Sequence, residues 1–378
     1  MSAPTLLIVT GEASGDLHGA NLAKALKARD PNIRLLGVGG QHMRAAGVEL
    51  LQGLKRLDAV GVPGPVTIGK GIFNLFTMKR FFKELNLNGV VFVDNPSMNL
   101  RLARMAAKLG HRVIYYIAPQ IWAWGRHRIH LIKRVVRRMI VILPFEEAIY
   151  RDAGVPCDFV GHPLLDTLAL PYDRRYARKQ LGLPEGGLII GVLPGSRLSE
   201  VQPLLPEMIQ AVKKMRTFDP DVRCVVGQAQ SISSDCLEAL IDREKLPVTV
   251  VANQTNEVMA AADLLLVASG TATLQAALVG TPMIITYRLS WLTYHIAKRI
   301  ALVKHLGLVN LVAGRGVVPE LLQEEATADR LFEEAMSLLK DRERYRSMEQ
   351  SFISIREQMG APGASDRAAE VVLAECQA

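Results

Sequence analysis

The residues best suited to chemistry follow short apolar runs, at points where an expected buried strand ends in a turn. The sharpest case is GVLPGSRLSEV, Gly191 to Val201. Small residues at Gly195 and Ser196 let backbone N–H groups approach a phosphate, and a helix beginning near Ser199 favours negative charge at its N-terminus. Arg197 adds a forked cation suited to a diphosphate. On spacing alone, a plain strand-to-helix turn with a surface arginine is an equally good interpretation.

A second turn of this kind lies in LLVASGTATLQAALVGTPMI, residues 265–284. Ser269, Gly270 and Thr271 stand where an apolar run ends, and they are typical of the start of a helix. Gly280 ends that helix, and the helix N-terminus would favour the same anion as the first turn. Taken alone, an ordinary strand–helix–strand crossover explains this stretch better than an anion site.

A carboxylate follows a third apolar run, in VFVDNPSMN. Asp94 stands just after the expected strand, and an acid at that position can accept the proton of an attacking hydroxyl. For this stretch taken alone, a turn or helix cap before Pro96 is the better interpretation.

The GEASGD stretch leaves its ligand open, whereas a pair of tryptophans could contact a sugar or a lipid. The glycines of GEASGD, Gly11 to Asp16, fit neither the dinucleotide pattern nor the P-loop pattern. Trp122 and Trp124 share one turn in a chain that is only 6% aromatic. Aromatic faces line sugar and lipid sites, and they also close ordinary clefts. His127 and His130 follow without a nearby carboxylate, so we expect no metal there.

Residues 66–85 combine bulky apolar side chains with lysines and an arginine. A basic helix with such a face suits the surface of an anionic bilayer. A core helix is the usual explanation of an apolar stripe, and the density of aromatic residues favours the membrane slightly.

Composition narrows the class of protein. The chain has 378 residues, 49% of them hydrophobic and 22% charged, and a net charge of +8. This length favours two domains, and the charge suits nucleic acid, an anionic membrane or phosphorylated substrates. The four cysteines lie far apart without a C-x-x-C pair, which indicates reduced thiols in a cytosolic protein. We expect no signal peptide, because the first apolar run is too short and lacks a basic flank. We also expect no membrane span, because no apolar run in the sequence reaches the necessary length.

Ten apolar runs alternate with amphipathic stretches, which predicts an α/β fold with two Rossmann-like, doubly wound domains facing across a cleft. The runs are TLLIVT, IRLLGVG, GVVFVDN, RVIYYIA and RMIVIL in the first half, and LIIGVLPGSR, VRCVVGQ, VTVVAN, ADLLLVASG and PMIITYR in the second. We place the boundary near residues 169–172, with domains at 1–169 and 170–341 and closing helices at 342–378.

Seven strings along the chain together resemble the lipid-A-disaccharide synthases. In order they are GEASGD, PQIWAW, LPFE, GHPLLD, LPGSRxxE, ASGTATL and NLVAGR. The resemblance implies the two-domain GT-B fold, in which one closing helix crosses back to the first domain. It also implies an inverting glycosyltransferase that joins UDP-2,3-diacylglucosamine to 2,3-diacylglucosamine 1-phosphate and releases UDP. That chemistry implies no cofactor and no metal.

The resemblance also assigns roles residue by residue. It makes Asp94 the general base. Donor binding falls to Gly195, Ser196, Arg197, Ser269, Gly270, Thr271, Gln275, Asn310 and Arg315. Acceptor binding falls to Glu12, Ser14, Asp16, Trp122 and Trp124.

The chain departs from the family pattern at five of these site segments. The changed positions are Ser97, Met98, Gln275, residues 61–66, Val309 and Gly316. Four of the changes remove a carboxylate or replace it by a neutral side chain. The pattern predicts a divergent member with an altered donor or acceptor, or one of low activity.

Two alternatives stay open: a UDP-sugar 2-epimerase on the same fold, and a weakly active paralogue that binds UDP-sugar or lipid at the membrane. An epimerase needs an acid/base pair aimed at the sugar ring, and the sequence offers no convincing pair. We expect a peripheral protein on the cytoplasmic face of the inner membrane. Its partners would be acylated sugar substrates and anionic lipid, without nucleic acid, and a homodimer is left open.

Overall fold

The computed structural model describes residues 4–11, 13–53, 65–168, 171–242, 246–289 and 304–377, apart from the side chains of residues 13, 65–73 and 242. Glu12 lies outside the described residues, as do residues 61–64 of GVPGPV and residues 169–170 of the expected boundary. The chain divides into two compact units. Unit 1 contains residues 1–166 and 359–378, and unit 2 contains residues 167–358.

Unit 1 is built on a seven-stranded parallel sheet in the order β3-β2-β1-β4-β5-β6-β7. The strands are β1 (Thr5–Thr10), β2 (Arg34–Val38), β3 (Glu49–Leu50), β4 (Gly89–Val93), β5 (Val113–Tyr116), β6 (Arg138–Val141) and β7 (Cys157–Phe159). The helices are α1 (Ala13–Arg29), α2 (Gln41–Ala45), α3 (Pro65–Glu84), α4 (Pro96–Lys108), α5 (Ile129–Val135), α6 (Pro144–Asp152) and α7 (Leu164–Thr167), which ends at the unit boundary.

Unit 2 has a six-stranded parallel sheet in the order β10-β9-β8-β11-β12-β13. The strands are β8 (Ile189–Leu193), β9 (Arg223–Gln228), β10 (Val248–Ala252), β11 (Leu264–Ala268), β12 (Met283–Tyr287) and β13 (Glu320–Leu322). The helices are α8 (Arg174–Gln180), α9 (Leu198–Phe218), α10 (Ser234–Asp242), α11 (Thr255–Ala261), α12 (Thr271–Val279), α13 (Leu308–Ala313), α14 (Ala328–Lys340) and α15 (Arg342–Gln358). The prediction of two doubly wound α/β domains is confirmed.

All ten predicted strands form, because parallel strands covered by helices on both faces need continuous apolar sequence. Every residue of β4 and of β11 is buried. Three strands were not predicted: β3, β7 and β13, which contain two or three residues each. Each is the last strand at one edge of its sheet.

The two closing helices belong to different units. Helix α15 lies in unit 2, whereas the last helix, α16 (Ala364–Gln377), lies in unit 1. Glu375 of α16 pairs with Arg137 and Arg138 at the start of β6, with N–O distances of 2.7 and 2.8 Å. Arg112 donates to the carbonyls of Glu375 and Cys376, both at 3.0 Å. Cations at a helix C-terminus are favourable, so these arginines fix the end of α16 against the amino ends of the strands.

Helix α3 has one face in the core over its described half. Met78 and Phe82 are buried, while Phe76 is 70% exposed. Lys79 and Lys83 lie on the exposed side. Among the described residues, no helix is both long enough and apolar enough to cross a membrane.

Candidate active site

Each sheet reverses its strand order at one point, and the predicted turns follow the strands that meet there. In unit 1 the neighbours are β1 and β4, from which successive strands lead away in opposite directions. In unit 2 the corresponding neighbours are β8 and β11. Ligands of open α/β sheets bind outside the carboxyl ends of the strands at this point. Four predicted stretches begin there: GEASGD after β1, DNPSMN after β4, LPGSR after β8 and ASGT after β11.

The turn after β4 holds two strained residues. Asp94 and Asn95 have φ values of 51° and 44°, in the left-handed backbone region that residues other than glycine rarely occupy. The backbone of Asp94 is held by residues of the neighbouring strand β5. The Asp94 N–H donates to the carbonyl of Tyr116 at 3.0 Å, and the hydroxyl of Tyr115 donates to the Asp94 carbonyl at 2.7 Å. Strain held in place by surrounding bonds is typical of a functional turn.

The turns after β1 and β4 touch each other. A Cβ atom on Gly11 would lie 1.9 Å from the Asn95 amide nitrogen, so only glycine fits at that position. Ser97 donates to the Asn95 side chain at 2.9 Å. Gly11 therefore lets the Asp94 turn close against the GEASGD stretch.

Asp16 has a role that the sequence did not predict. It is buried, and its carboxylate accepts the N–H groups of Gly40, His42 and Met43 at 2.7 to 3.2 Å. Its oxygens are thus committed to the backbone at the start of α2, which makes the expected contact with an acceptor sugar a poor fit. Ser14 is exposed in the first turn of α1.

The two tryptophans of PQIWAW differ in their surroundings. Trp124 is 57% exposed. Trp122 packs edge-on against Phe145, with ring centroids 5.1 Å apart, and its indole N–H donates to Glu146 at 2.9 Å. Trp124 can therefore contact a ligand, while Trp122 joins the turn to the LPFE string.

Glu146 is a buried carboxyl that was not among the predicted site residues. Besides the indole of Trp122, it receives the backbone N–H of Leu143 at 3.4 Å. Burial raises the pKa of Glu146 to about 8, the two donors oppose that rise, and the charge of Asp94 adds to it. The LPFE string carried the available signal, since it places an acid in the first turn of the helix that follows the apolar strand β6.

The turn after β8 is organised around Glu200. Arg197 forms an ion pair with Glu200 at 3.0 Å, although the Arg197 side chain is 57% exposed. The N–H of Ser196 donates to the other Glu200 oxygen at 3.2 Å. The hydroxyl of Ser231 donates to the Ser196 carbonyl at 2.5 Å. Gly195 has a φ of 114°, which glycine alone tolerates easily.

The turn after β11 begins α12 as expected. Gly270 is the N-cap residue, and Gly280 ends the helix in the left-handed conformation. The Ser269 hydroxyl donates to the carbonyl of Leu306 at 3.1 Å. The side chain of Gln275 donates to that of Asn256. Thr271 is exposed at the helix start.

Asn310 is the second residue whose predicted role does not fit its position. It is fully buried, and its amide donates to the Val318 carbonyl and to Glu320 at 2.9 and 2.7 Å. Its oxygen accepts the N–H groups of Val317 and Val318 at 2.8 and 2.9 Å. With its hydrogen-bonding capacity used, Asn310 shapes the loop that carries Arg315 and leaves nothing for a donor sugar.

Glu320 completes this network at the start of α13. Its carboxylate accepts the backbone N–H groups of Leu306 and Gly307 at 2.9 and 3.0 Å. Arg315 is exposed and donates one hydrogen bond to Ser351 at 2.9 Å. Glu320 was not predicted from the sequence, because nothing in the residues around it along the chain distinguishes it from a surface acid.

No group of three or more His, Cys, Asp or Glu side chains capable of holding a metal occurs in the described part of the chain. His127 and His130 are both exposed. The chemistry on offer at the two switch points is a carboxylate on a strained turn in unit 1, and a cation with backbone N–H groups in unit 2.

Comparisons with known proteins agree with these features. A family model described as lipid-A-disaccharide synthetase matches residues 6–374. The lipid-A-disaccharide synthase of Nitrosococcus oceani is 40% identical over 99% of this chain and 96% of its own length. Lipid-A-disaccharide synthase 1 of Legionella pneumophila is 41% identical over 99% and 98% of the two chains.

Solved structures with the same fold are more distant in sequence. MurG of Acinetobacter baumannii has a TM-score of 0.60 at 15% identity, covering 98% of this chain and 99% of its own. A UDP-GlcNAc 2-epimerase of Neisseria meningitidis, solved with UDP-GlcNAc, has a TM-score of 0.66 at 11% identity, covering 98% and 100%. At such identities the likeness concerns the fold alone.

Proposed function

Because this chain belongs to the lipid-A-disaccharide synthase family, a family of glycosyltransferases with the GT-B fold, we propose that it performs that family's reaction. It would transfer the sugar of UDP-2,3-diacylglucosamine to 2,3-diacylglucosamine 1-phosphate with inversion, giving the β-1,6 disaccharide and UDP. The epimerase alternative is not favoured, because the likeness to epimerases rests on structures only 11 and 12% identical.

Asp94 is the general base in this proposal. The acceptor hydroxyl oxygen forms the bond to the anomeric carbon of the donor while the bond from that carbon to UDP breaks. The hydroxyl proton passes to the Asp94 carboxylate, and the electrons of the broken bond leave with UDP. The observation that carries this assignment is the left-handed Asp94 turn at the switch point of the unit 1 sheet.

Unit 2 would bind the donor. Arg197 and the Gly195–Ser196 turn would meet the diphosphate, because a guanidinium and a helix start both favour phosphate oxygens. A second helix start would be added by Ser269, Gly270 and Thr271. Gln275 of the same helix and Arg315 of the NLVAGR string would also contact the donor. Asn310 would contribute indirectly, by holding the loop of Arg315.

Unit 1 would bind the acceptor. The proposal keeps Ser14 and the exposed Trp124 for this role, and it keeps Glu12 as an expectation from the sequence. Trp122 would act by supporting its neighbour Trp124. Asp16 is left out because three backbone N–H groups occupy its carboxylate.

The substrates carry acyl chains, so we also propose peripheral association with the cytoplasmic face of the inner membrane. Exposed Phe76 beside Lys79, Arg80 and Lys83 on α3 suits an anionic lipid surface.

The protein should sediment with anionic vesicles at low salt and less so at high salt. Phe76→Asp should weaken sedimentation, whereas Phe218→Asp, which alters an equally exposed phenylalanine of unit 2, should not. Absence of sedimentation at both salt concentrations would favour a purely structural α3. A homodimer stays open.

One incubation tests the reaction. The protein is mixed with UDP-2,3-diacylglucosamine and 2,3-diacylglucosamine 1-phosphate, and the lipid products are identified by mass. Disaccharide with UDP supports the proposal. A free 2-epimer of the donor sugar would favour the epimerase, and binding without turnover would favour an inactive paralogue.

A further inference from the structure

Glu200 stands out because it is an acidic residue buried beside the proposed diphosphate site. It is 8% exposed, in the first turn of α9, and it belongs to the LPGSRxxE string. An acid this close to a diphosphate would repel it unless the carboxylate serves another purpose. The contacts of Glu200 identify that purpose.

Both carboxylate oxygens are engaged with the turn itself. One oxygen receives the N–H of Ser196 at 3.2 Å, and the other pairs with the Arg197 guanidinium at 3.0 Å. Charge-assisted bonds of this type are strong and directional. Glu200 therefore fixes the backbone of Ser196 and the side chain of the next residue, Arg197.

The turn is shaped to admit this carboxylate. A Cβ atom on Gly195 would lie 2.6 Å from a Glu200 oxygen and 2.9 Å from the Glu200 Cβ, so the glycine leaves room for the acid. On the other side of the same turn, the Ser231 hydroxyl donates to the Ser196 carbonyl. Glu200 and Ser231, from different parts of unit 2, thus hold the N–H and the carbonyl of Ser196, which belong to two successive peptide groups.

We propose that Glu200 is a positioning residue, which fixes the Gly195–Arg197 turn and holds the Arg197 guanidinium ready for the diphosphate of a nucleoside diphosphate sugar. The inference rests on the proposed function, since it takes Arg197 as the diphosphate anchor. A guanidinium has five N–H donors, so one contact with Glu200 leaves others for a ligand. Holding a long side chain in place beforehand reduces the freedom lost on binding.

The experiment is a calorimetric titration of the full-length protein with UDP. The variants are Glu200→Ala, Glu200→Gln, Arg197→Ala and the two double variants that combine each change at Glu200 with Arg197→Ala. Glu238→Ala, which removes an exposed carboxylate of α10 in the same unit, is the matched control. Melting temperatures establish that each variant is folded.

We expect Glu200→Ala to weaken UDP binding about tenfold, as the loss of a charge-assisted bond would. Glu200→Gln keeps an acceptor for the Ser196 N–H and should lose only about threefold, in line with a weakened ion pair. In the Arg197→Ala background, Glu200→Gln should cost less than about twofold, because its effect passes through Arg197, whereas Glu200→Ala should keep roughly the threefold loss that comes from the unpaired Ser196 N–H. Glu238→Ala should bind UDP like the wild type.

Other outcomes overturn the inference. UDP binding that is unchanged or stronger in Glu200→Gln would show that the carboxylate merely opposes the diphosphate. An equal loss with and without Arg197 would show that Glu200 acts independently of it. If Glu200→Ala fails to fold, the comparison of Glu200→Gln with and without Arg197→Ala still tests the inference. If Arg197→Ala itself leaves UDP binding unchanged, the diphosphate anchor of the proposed function fails instead, so the two failures are distinguishable.

Discussion

Both units place a buried glutamate behind the turn that carries the proposed chemistry, yet the two glutamates have different neighbours. Glu146 in unit 1 receives an indole N–H and a backbone N–H, both neutral donors. Glu200 in unit 2 faces the guanidinium of Arg197. Without a cation, burial raises the pKa of Glu146 to about 8. The comparison teaches that the partners of a buried carboxyl, together with its burial, decide what that carboxyl does.

The difference matches the chemistry proposed for each unit. Unit 1 must accept a proton, and a largely protonated Glu146 near pH 7 leaves Asp94 without a second negative charge beside it. Unit 2 must hold an anion, and a carboxylate that fixes a cation provides a rigid site for one. Three changes, taken from the largest expected effect to the smallest, test the comparison.

Asp94→Asn should give the largest effect. The amide fits the same turn but cannot accept the acceptor's proton, so turnover should fall by at least about a hundredfold. UDP affinity and melting temperature should stay near those of the wild type. Asp152→Asn, at the exposed end of α6, is the control and should leave turnover intact.

Turnover of Asp94→Asn within about threefold of the wild type would contradict the assignment, because that loss is far below the range for a positioned base. Glu12 would then be the next candidate. Asp16 would not, given its three backbone partners.

Arg197→Ala should give the next largest effect. Loss of a charged hydrogen bond costs about 1.5–3 kcal/mol, so UDP binding should weaken roughly ten- to a hundredfold. Calorimetry measures this directly. Arg175→Ala removes an exposed arginine of the same unit and should change nothing. Unchanged UDP affinity in Arg197→Ala would remove the basis for contrasting the two units.

Glu146→Gln should give the smallest effect, on stability as a function of pH. The folded pKa of Glu146 is about 8, above its ordinary value of 4.5. Between these values the folded state holds a proton that the unfolded chain has released, so rising pH destabilises the fold. His18 and His162 act oppositely, because burial lowers both pKa values from 6.5, that of His162 to about 3, and their contribution increases with pH until the unfolded histidines have lost their protons.

Above about pH 7, Glu146 outweighs the two histidines, because their unfolded forms have lost most of their protons. The free energy of unfolding of the wild type should therefore decline from about pH 7 to 8, by at most about 1.4 kcal/mol per pH unit. Glu146→Gln should abolish most of that decline, and Asp152→Asn should keep it. Denaturant unfolding at several pH values provides the measurement. A decline that persists in Glu146→Gln would mean that the buried carboxyl is already charged.

Much of the fold followed from the sequence. The central strands are continuous apolar runs, because a parallel sheet is covered on both faces. The edge strands β3, β7 and β13 have no such signal, since two or three partly exposed residues look like any loop. Their pairing depends on a neighbouring strand that is already in place.

The turns after the strands were equally predictable, because glycine, serine and a helix start leave a local signature. Gly195, Arg197 and Gly280 lie where the sequence placed them. What each polar side chain does was less predictable. Asp16 and Asn310 look like site residues in the sequence, yet both bond to backbone distant from them by up to 27 positions.

The sequence by itself determined the two α/β halves, the strand ends and the residue types gathered there, because hydrophobic burial and turn chemistry act over short distances along the chain. Tertiary structure alone decided which carboxylates are buried and what they meet. Glu146 meets an indole and Glu200 meets a guanidinium because packing brings separate turns together. Desolvation and pairing depend on those neighbours in space, and no local pattern specifies them.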